Sequence, residues 1–281
     1  MLKRILVSVV LLPVVIGFLY VGGIPFTFFV SVITALAGWE LLHAMAKLPK
    51  RVYLYPFVAA AVIPAGFYFG MPVGVRVLGF AALLLMAASF LEAILSYGKE
   101  EPITAKDVLK ILFAGAFMPA MLSSLSVLNS YGAAGGARPY VVLALGLAFL
   151  TDAGAYFAGV FLGKHRGITK VSPNKSLEGY IGGIITGGLF ALVLGLILSK
   201  CFDRYVVHYG ALVLYGLVGA ALTAIGDLSF SLIKRELGIK DYGKLLPGHG
   251  GMMDRFDSMV FCAPWVMLLS TCLPAFTILH P

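Results

Sequence analysis

Along this chain apolar runs alternate with short polar breaks. The runs fall at residues 5–21, 24–46, 53–70, 73–97, 108–131, 139–163, 177–199, 207–233 and 258–279. A helix needs about 20 apolar residues to cross the hydrocarbon core of a bilayer. The pattern therefore predicts an all-α integral membrane protein with about nine transmembrane helices. Gly22-Gly23 with Pro25, and Gly70-Met71-Pro72, predict tight hairpins between the first two runs and between the third and fourth. The opening MLKRILVSVVLLPVVIGFLYVGG places two positive charges before an apolar stretch, as a signal peptide does. No small-x-small cleavage site follows and the next apolar run begins at once, so a retained first helix is expected.

Polar residues are not spread evenly among the runs. Residues 1–98 are plain hydrophobic helix, expected to act as a scaffold, and residues 99–138 supply a middle helix and connections. From 139 onward glycines and mid-run polar residues accumulate: Thr151-Asp152, Gly179, Gly182-Gly183, Gly187-Gly188 and Gly226-Asp227. Small residues let transmembrane helices approach closely. Residues 139–281 are thus the expected compact functional core, with polar loops at 164–176 and 234–257.

Composition supports the membrane assignment, with 60% hydrophobic and 12% charged residues against about 25% charged in soluble domains. The formal net charge of +8 then points to anionic lipid headgroups or a polyanionic small substrate, and no nucleic-acid partner is expected. With the N-terminus placed in the cytoplasm, all but four of the 21 Lys and Arg residues (Arg76, Arg138, Lys200 and Arg204) fall on the inner side. That positive-inside bias predicts an odd helix number, N-terminus in and C-terminus out, and puts both polar loops on the cytoplasmic side. Cys201, Cys262 and Cys272 are an odd count without CxxC spacing, which argues against a zinc site or a disulfide framework.

The candidate chemistry gathers in these loops and at their helix ends. Asp227 lies late in an apolar run, where an ionised carboxylate is expensive unless paired or metal-bound. Ser231, Lys234 and Arg235 follow at i+4, i+7 and i+8, on the same helix face. The row reads either as a ladder for a metal and a phosphate chain or as an internal ion pair tethering the helix to a neighbour. Asp254 and Asp257 suit a hard divalent cation such as magnesium, or oppose the macrodipole of the last helix. Pro247-Gly248-His249-Gly250-Gly251 offers backbone N–H groups to phosphate oxygens, or is a plain turn. Lys164, Lys170, Ser172 and Lys175 form a second loop, readable as a phosphate clamp or as a solvated topology signal. Asp152, with Tyr156 one turn on, meets the same intramembrane cost as Asp227. Glu40, His43 and Glu92 near inner helix ends read as interface-level residues.

The window Ser231–Asp257 resembles the signature of the phosphatidate cytidylyltransferases, also called CDP-diacylglycerol synthases. That pattern runs Ser-x-apolar-Lys-Arg, four residues, Lys-Asp-x-small, two residues, then apolar-Pro-x-His-Gly-Gly-apolar-x-Asp-Arg-apolar-Asp. It is met from Ser231, Lys234 and Arg235 through Lys240, Asp241, Gly243, Leu246, Pro247, His249, Gly250, Gly251 and Met252 to Asp254, Arg255, Phe256 and Asp257. A second family region, Thr-Asp-x-x-Ala-Tyr and then Ser-Pro-x-Lys-Thr-x-Glu-Gly, looks like Thr151–Tyr156 and Ser172–Gly179, with Ser176 in place of the usual Thr. The resemblance implies transfer of CMP from CTP to phosphatidic acid, giving CDP-diacylglycerol and pyrophosphate in phospholipid biosynthesis.

By that resemblance Asp227 and Asp254 hold magnesium, with Asp257 and Asp152 as further candidates. Lys234, Arg235, Lys240 and Lys175 engage the CTP phosphates, with Lys244 nearby and His249-Gly250-Gly251 against the phosphate chain. Asp241 and Arg255 complete the site. The acids outnumber one metal's needs, which leaves room for a second cation, potassium or another divalent. A homodimer is the family expectation, as is residence in the cell's inner or plasma membrane. Competing readings are an ion-coupled transporter and another membrane lipid phosphotransferase. The first would spread polar residues across the bilayer depth and both halves, and the acid array of CDP-alcohol transferases is missing.

Overall fold

A computed structural model describes residues 13–133, 138–246, 248 and 250–278. Among them six helices are long and apolar enough to cross a membrane: Gly23–Met45, Met71–Ser96, Ala105–Ser130, Arg138–Phe161, Leu177–Cys201 and Tyr209–Glu236. Leu54–Tyr68 and Met259–Cys272 are shorter apolar helices, and residues 13–21 are helical. The chain is a multi-pass integral membrane protein. The N-terminal part of the first expected run, residues 5–12, lies outside the described residues.

The chain divides into two compact units. The first holds residues up to Ser130 together with Ile239–Phe256. Its helices are α1 (Gly23–Met45), α2 (Leu54–Tyr68), α3 (Met71–Ser96), α4 (Ala105–Leu112) and α5 (Met118–Leu122), with a π-helical turn at Phe113–Phe117. Both predicted hairpins form, on Gly22 and Gly23 (φ 64° and 56°) and on Gly70 (φ 107°). A capping box starts α4, where Asp107 N donates to Thr104 Oγ1 and Thr104 N to Asp107 Oδ2. The single helix expected over 108–131 is interrupted by the π turn and again at Ser123. Pro119 supplies no N–H to the ladder, so the turn before it widens. The π turn packs on α1, α2 and α3. Within this unit α10 (Met253–Phe256) packs on α1.

The second unit holds Tyr131–Gly238 and Asp257 onward. It contains α6 (Ser124–Ala133) only in its last residues, then α7 (Arg138–Phe161), α8 (Leu177–Cys201), α9 (Tyr209–Glu236) and α11 (Met259–Cys272). Helix α8 packs on α7 and α9, and α11 on α9 and α7. The glycines of α8 admit these neighbours: a Cβ on Gly182 would lie 2.2 Å from Ala158 Cβ, so contact there is closer than any other residue permits. One feature was not predicted. The break before the eighth expected run and the end of the ninth are strands, β1 (Tyr205–Val207) and β2 (Phe276–Ile278), paired antiparallel with Val206 opposite Thr277. Aromatic and β-branched triplets beside His208 and Pro274 favour extended pairing over continued helix. Tyr140 Oη accepts from Ala275 N and Phe276 N and fixes β2 to α7.

Candidate functional site

In the second unit the sequence places a carboxylate or a lysine at each of five positions that the fold brings together. Helix α9 carries Asp227 and, two turns later, Lys234. Lys175 comes from the loop before α8, Asp152 from α7, and Asp257 from the turn that opens α11. Lys175 Nζ hydrogen-bonds Asp227 Oδ2, and Lys234 Nζ lies 3.7 Å from Asp257 Oδ2. Ser258 Oγ donates to Asp152 Oδ2 at 2.9 Å and reaches Asp257 Oδ1 at 3.4 Å. Glycine makes the arrangement possible at one point. A Cβ on Gly226 would come within 2.9 Å of the Asp257 carbonyl, so α9 can lie against the Asp257-Ser258 turn only with a bare backbone there.

The electrostatics follow from burial. Asp257 is 5% exposed. Desolvation, then the Asp227 carboxylate, push its carboxyl up to about 7; Lys234 opposes this and Asp152 adds to it. Burial works against the charge of Lys175, yet Asp227, through its charge and hydrogen bond, holds the ammonium above its ordinary value. Three acids thus face two lysines. Among the described residues no group of three or more His, Cys, Asp or Glu side chains is set to hold a metal ion. The donor chemistry still fits a hard divalent cation, since Asp227 and Asp152 both add negative charge beside the Asp257 carboxylate, and a cation would offset it.

The approaches to this cluster are braced by Glu178. Its carboxylate accepts the backbone N–H of Lys164 and His165 and pairs with His165 Nδ1 at 2.5 Å. Ser176 caps α8 by accepting Gly179 N at 3.1 Å, the helix start that the sequence predicts. Arg235 Nε donates to Val171 O at 3.3 Å and ties the end of α9 to the loop. Lys164 and Lys170 are exposed there, and Ser172 is half-buried with its N–H on Thr169 Oγ1. Ser231 is half-buried on the Asp227 face of α9.

In the first unit the other part of the signature folds on carboxylates of its own. Asp254 Oδ2 accepts Tyr242 N at 2.8 Å and Gly251 N at 2.9 Å. Gly250 has φ 83°, which a side chain rarely tolerates, and Leu246 N donates to its carbonyl at 2.9 Å. Lys240, Asp241 and Lys244 are exposed, and Arg255 is half-buried. Pro247 and His249 lie outside the described residues.

Residues 2–273 match the model of the cytidylyltransferase family. The chain belongs to that family. A phosphatidate cytidylyltransferase of Staphylococcus haemolyticus (strain JCSC1435) is 30% identical over 268 residues, covering 95% of this chain and 97% of the relative. One from Bacillus subtilis (strain 168) is 30% identical over 279 residues, covering 96% and 97%. The same name belongs to a Staphylococcus epidermidis protein 40% identical over 130 residues, 46% of this chain and 48% of the relative.

In this member of the cytidylyltransferase family the structure collects Asp152, Lys175, Asp227, Lys234 and Asp257 in one unit, and Gly250, Gly251 and Asp254 in the other. Three residues that the fold brings to these groups carry no such signal in the sequence. Ser258 follows the signature by one residue and belongs to no pattern of its own. Glu178 reads as a helix-start residue, and only the fold shows what it holds. Glu40 reads as an interface residue, whereas it is 3% exposed and accepts Met253 N at 3.0 Å. Of its companions, Glu92 is 8% exposed and pairs with Arg51 at 2.7 Å, and His43 stacks on Tyr53.

Proposed function

We propose that this chain transfers CMP from CTP to phosphatidic acid, releasing pyrophosphate and forming CDP-diacylglycerol at the cytoplasmic membrane surface. The observation that carries the reading is the Asp152, Lys175, Asp227, Lys234, Asp257 cluster in a member of the cytidylyltransferase family, supported by relatives named phosphatidate cytidylyltransferase. An oxygen of the lipid phosphate attacks the α-phosphorus of CTP. The bond from that phosphorus to the bridging oxygen breaks, and pyrophosphate leaves with the electron pair. The lipid phosphate is already anionic near neutral pH, so no strong base is needed.

The difficulty is bringing anions together, a matter of positioning and electrostatics. A divalent cation held by Asp227, Asp257 and Asp152 would offset charge on the α-phosphorus and the leaving group. Lys175 and Lys234, preset by their carboxylate partners, are the cations offered to the phosphates. The exposed Lys164 and Lys170 draw the triphosphate toward the loop. Asp254 acts on the loop it folds, holding Tyr242 and Gly251 in place.

Pyrophosphate release by purified protein in detergent tests this, with magnesium and CTP and with or without phosphatidic acid. Release that needs both CTP and the lipid, fails with ATP, and drops at least 100-fold in Asp227→Asn and Lys234→Ala supports the reading. No release with any nucleotide from folded protein would sink it and favour the transport alternative.

A further inference from the structure

Glu40 lies five residues before the end of α1 and is 3% exposed. A glutamate placed only for the membrane interface would extend its carboxylate to water, because burying the charge is costly. This one turns onto the signature loop, more than 200 residues later in the chain. Its Oε2 accepts Met253 N at 3.0 Å, and the backbone of Met252 also bonds it. Two glycines close around it. A Cβ on Gly243 would sit 2.1 Å from Glu40 Oε1, and one on Gly251 2.2 Å from Oε2. The N–H of Gly251 is meanwhile held by Asp254. These glycines are therefore small because a carboxylate occupies the space.

We propose that Glu40 is a positioning residue for the cytidylyl transfer: its carboxylate is the post on which Gly243, Gly251 and Met253 fold. It thereby sets where the segment Ile239–Phe256 presents Lys240, Asp241, Asp254 and Arg255. The inference rests on the function proposed above for its catalytic part, while its structural part stands by itself.

The test uses full-length protein in detergent and the variants Glu40→Gln, Glu40→Ala, Gly251→Ala and the Glu40→Ala/Gly251→Ala double. Hydrogen–deuterium exchange of peptides from 239–256 is read beside kcat and KM for CTP. Glu40→Gln keeps the shape and one acceptor oxygen. It is expected to raise exchange in 239–256 at least tenfold, leave peptides of α2 and α3 unchanged, and lower kcat/KM at least tenfold. Gly251→Ala should do the same alone, yet add less than threefold in the Glu40→Ala background, where the carboxylate it strikes is gone.

Wild-type loop exchange in Glu40→Gln would overturn the proposal. So would a Gly251→Ala penalty as large with Glu40 removed as with it present. Faster exchange throughout the chain in Glu40→Gln would also overturn it, by making Glu40 a residue of the fold at large. If the wild type releases no pyrophosphate, the functional reading fails while the exchange data still decide the role of Glu40.

Discussion

At the scale of single residues, the deciding fact is how each charge near the membrane is partnered. Lys234 and Asp257 have side chains only 12% and 7% exposed. Removing one partner of such a pair strands the other, at a cost of about 3–5 kcal/mol. Lys234→Met is therefore expected to lower the melting temperature as well as activity, and Lys234→Met with Asp257→Asn to recover the melting temperature without the activity. Differential scanning fluorimetry beside the pyrophosphate assay checks both.

The raised carboxyl of Asp257, faced by Asp227, Lys234, Asp152 and Ser258, fixes a sign for pH. A group whose folded pKa of about 7 exceeds its ordinary 3.8 adds stability below about pH 4, and that contribution is lost as pH rises through 7. Without divalent ions, then, the wild-type melting temperature should fall between pH 4 and 7 relative to that of Asp257→Asn. Parallel curves for the two proteins would refute the assignment.

At the scale of elements, the close approach of helices sets the geometry. Gly226 is the point where α9 meets the Asp257-Ser258 turn. Gly226→Ala forces a contact of 2.9 Å with a carbonyl, a strain of about 1–3 kcal/mol, and separates Asp227 from Asp257. Activity should drop at least tenfold. Gly210, whose Cβ would meet nothing within 4 Å, is the control, and its alanine variant should behave as wild type. The strands β1 and β2 belong to this scale too. Phe276–Ile278 is apolar enough to pass as a helix end, and only its pairing with Tyr205–Val207 distinguishes it.

At the scale of the whole molecule, the concerns are the membrane and the ligand. The distribution of Lys and Arg predicts that loop 164–176 faces the cytoplasm. A single cysteine at position 170 in a cysteine-free background should react with an impermeant maleimide only in inside-out vesicles. Magnesium should raise the melting temperature of wild type, by mass action on a folded-state site, and leave Asp227→Asn unmoved. An equal shift in both would remove the cluster from consideration as a cation site.

The sequence by itself determined that this is a multi-pass helical membrane protein, because an unbroken apolar run leaves its backbone no partner in lipid but its own helix. It also carried the family signature, since chemistry demands particular side chains at particular spacings. Tertiary structure alone decided which of them meet. Spacing places Asp227 and Lys234 on one face of α9, yet their partners Lys175 and Asp257 lie on segments far away in the chain. It likewise decided that Glu40 serves the signature loop, for a side chain's role depends on what the fold brings against it, and no local pattern near Glu40 encodes a loop 200 residues on.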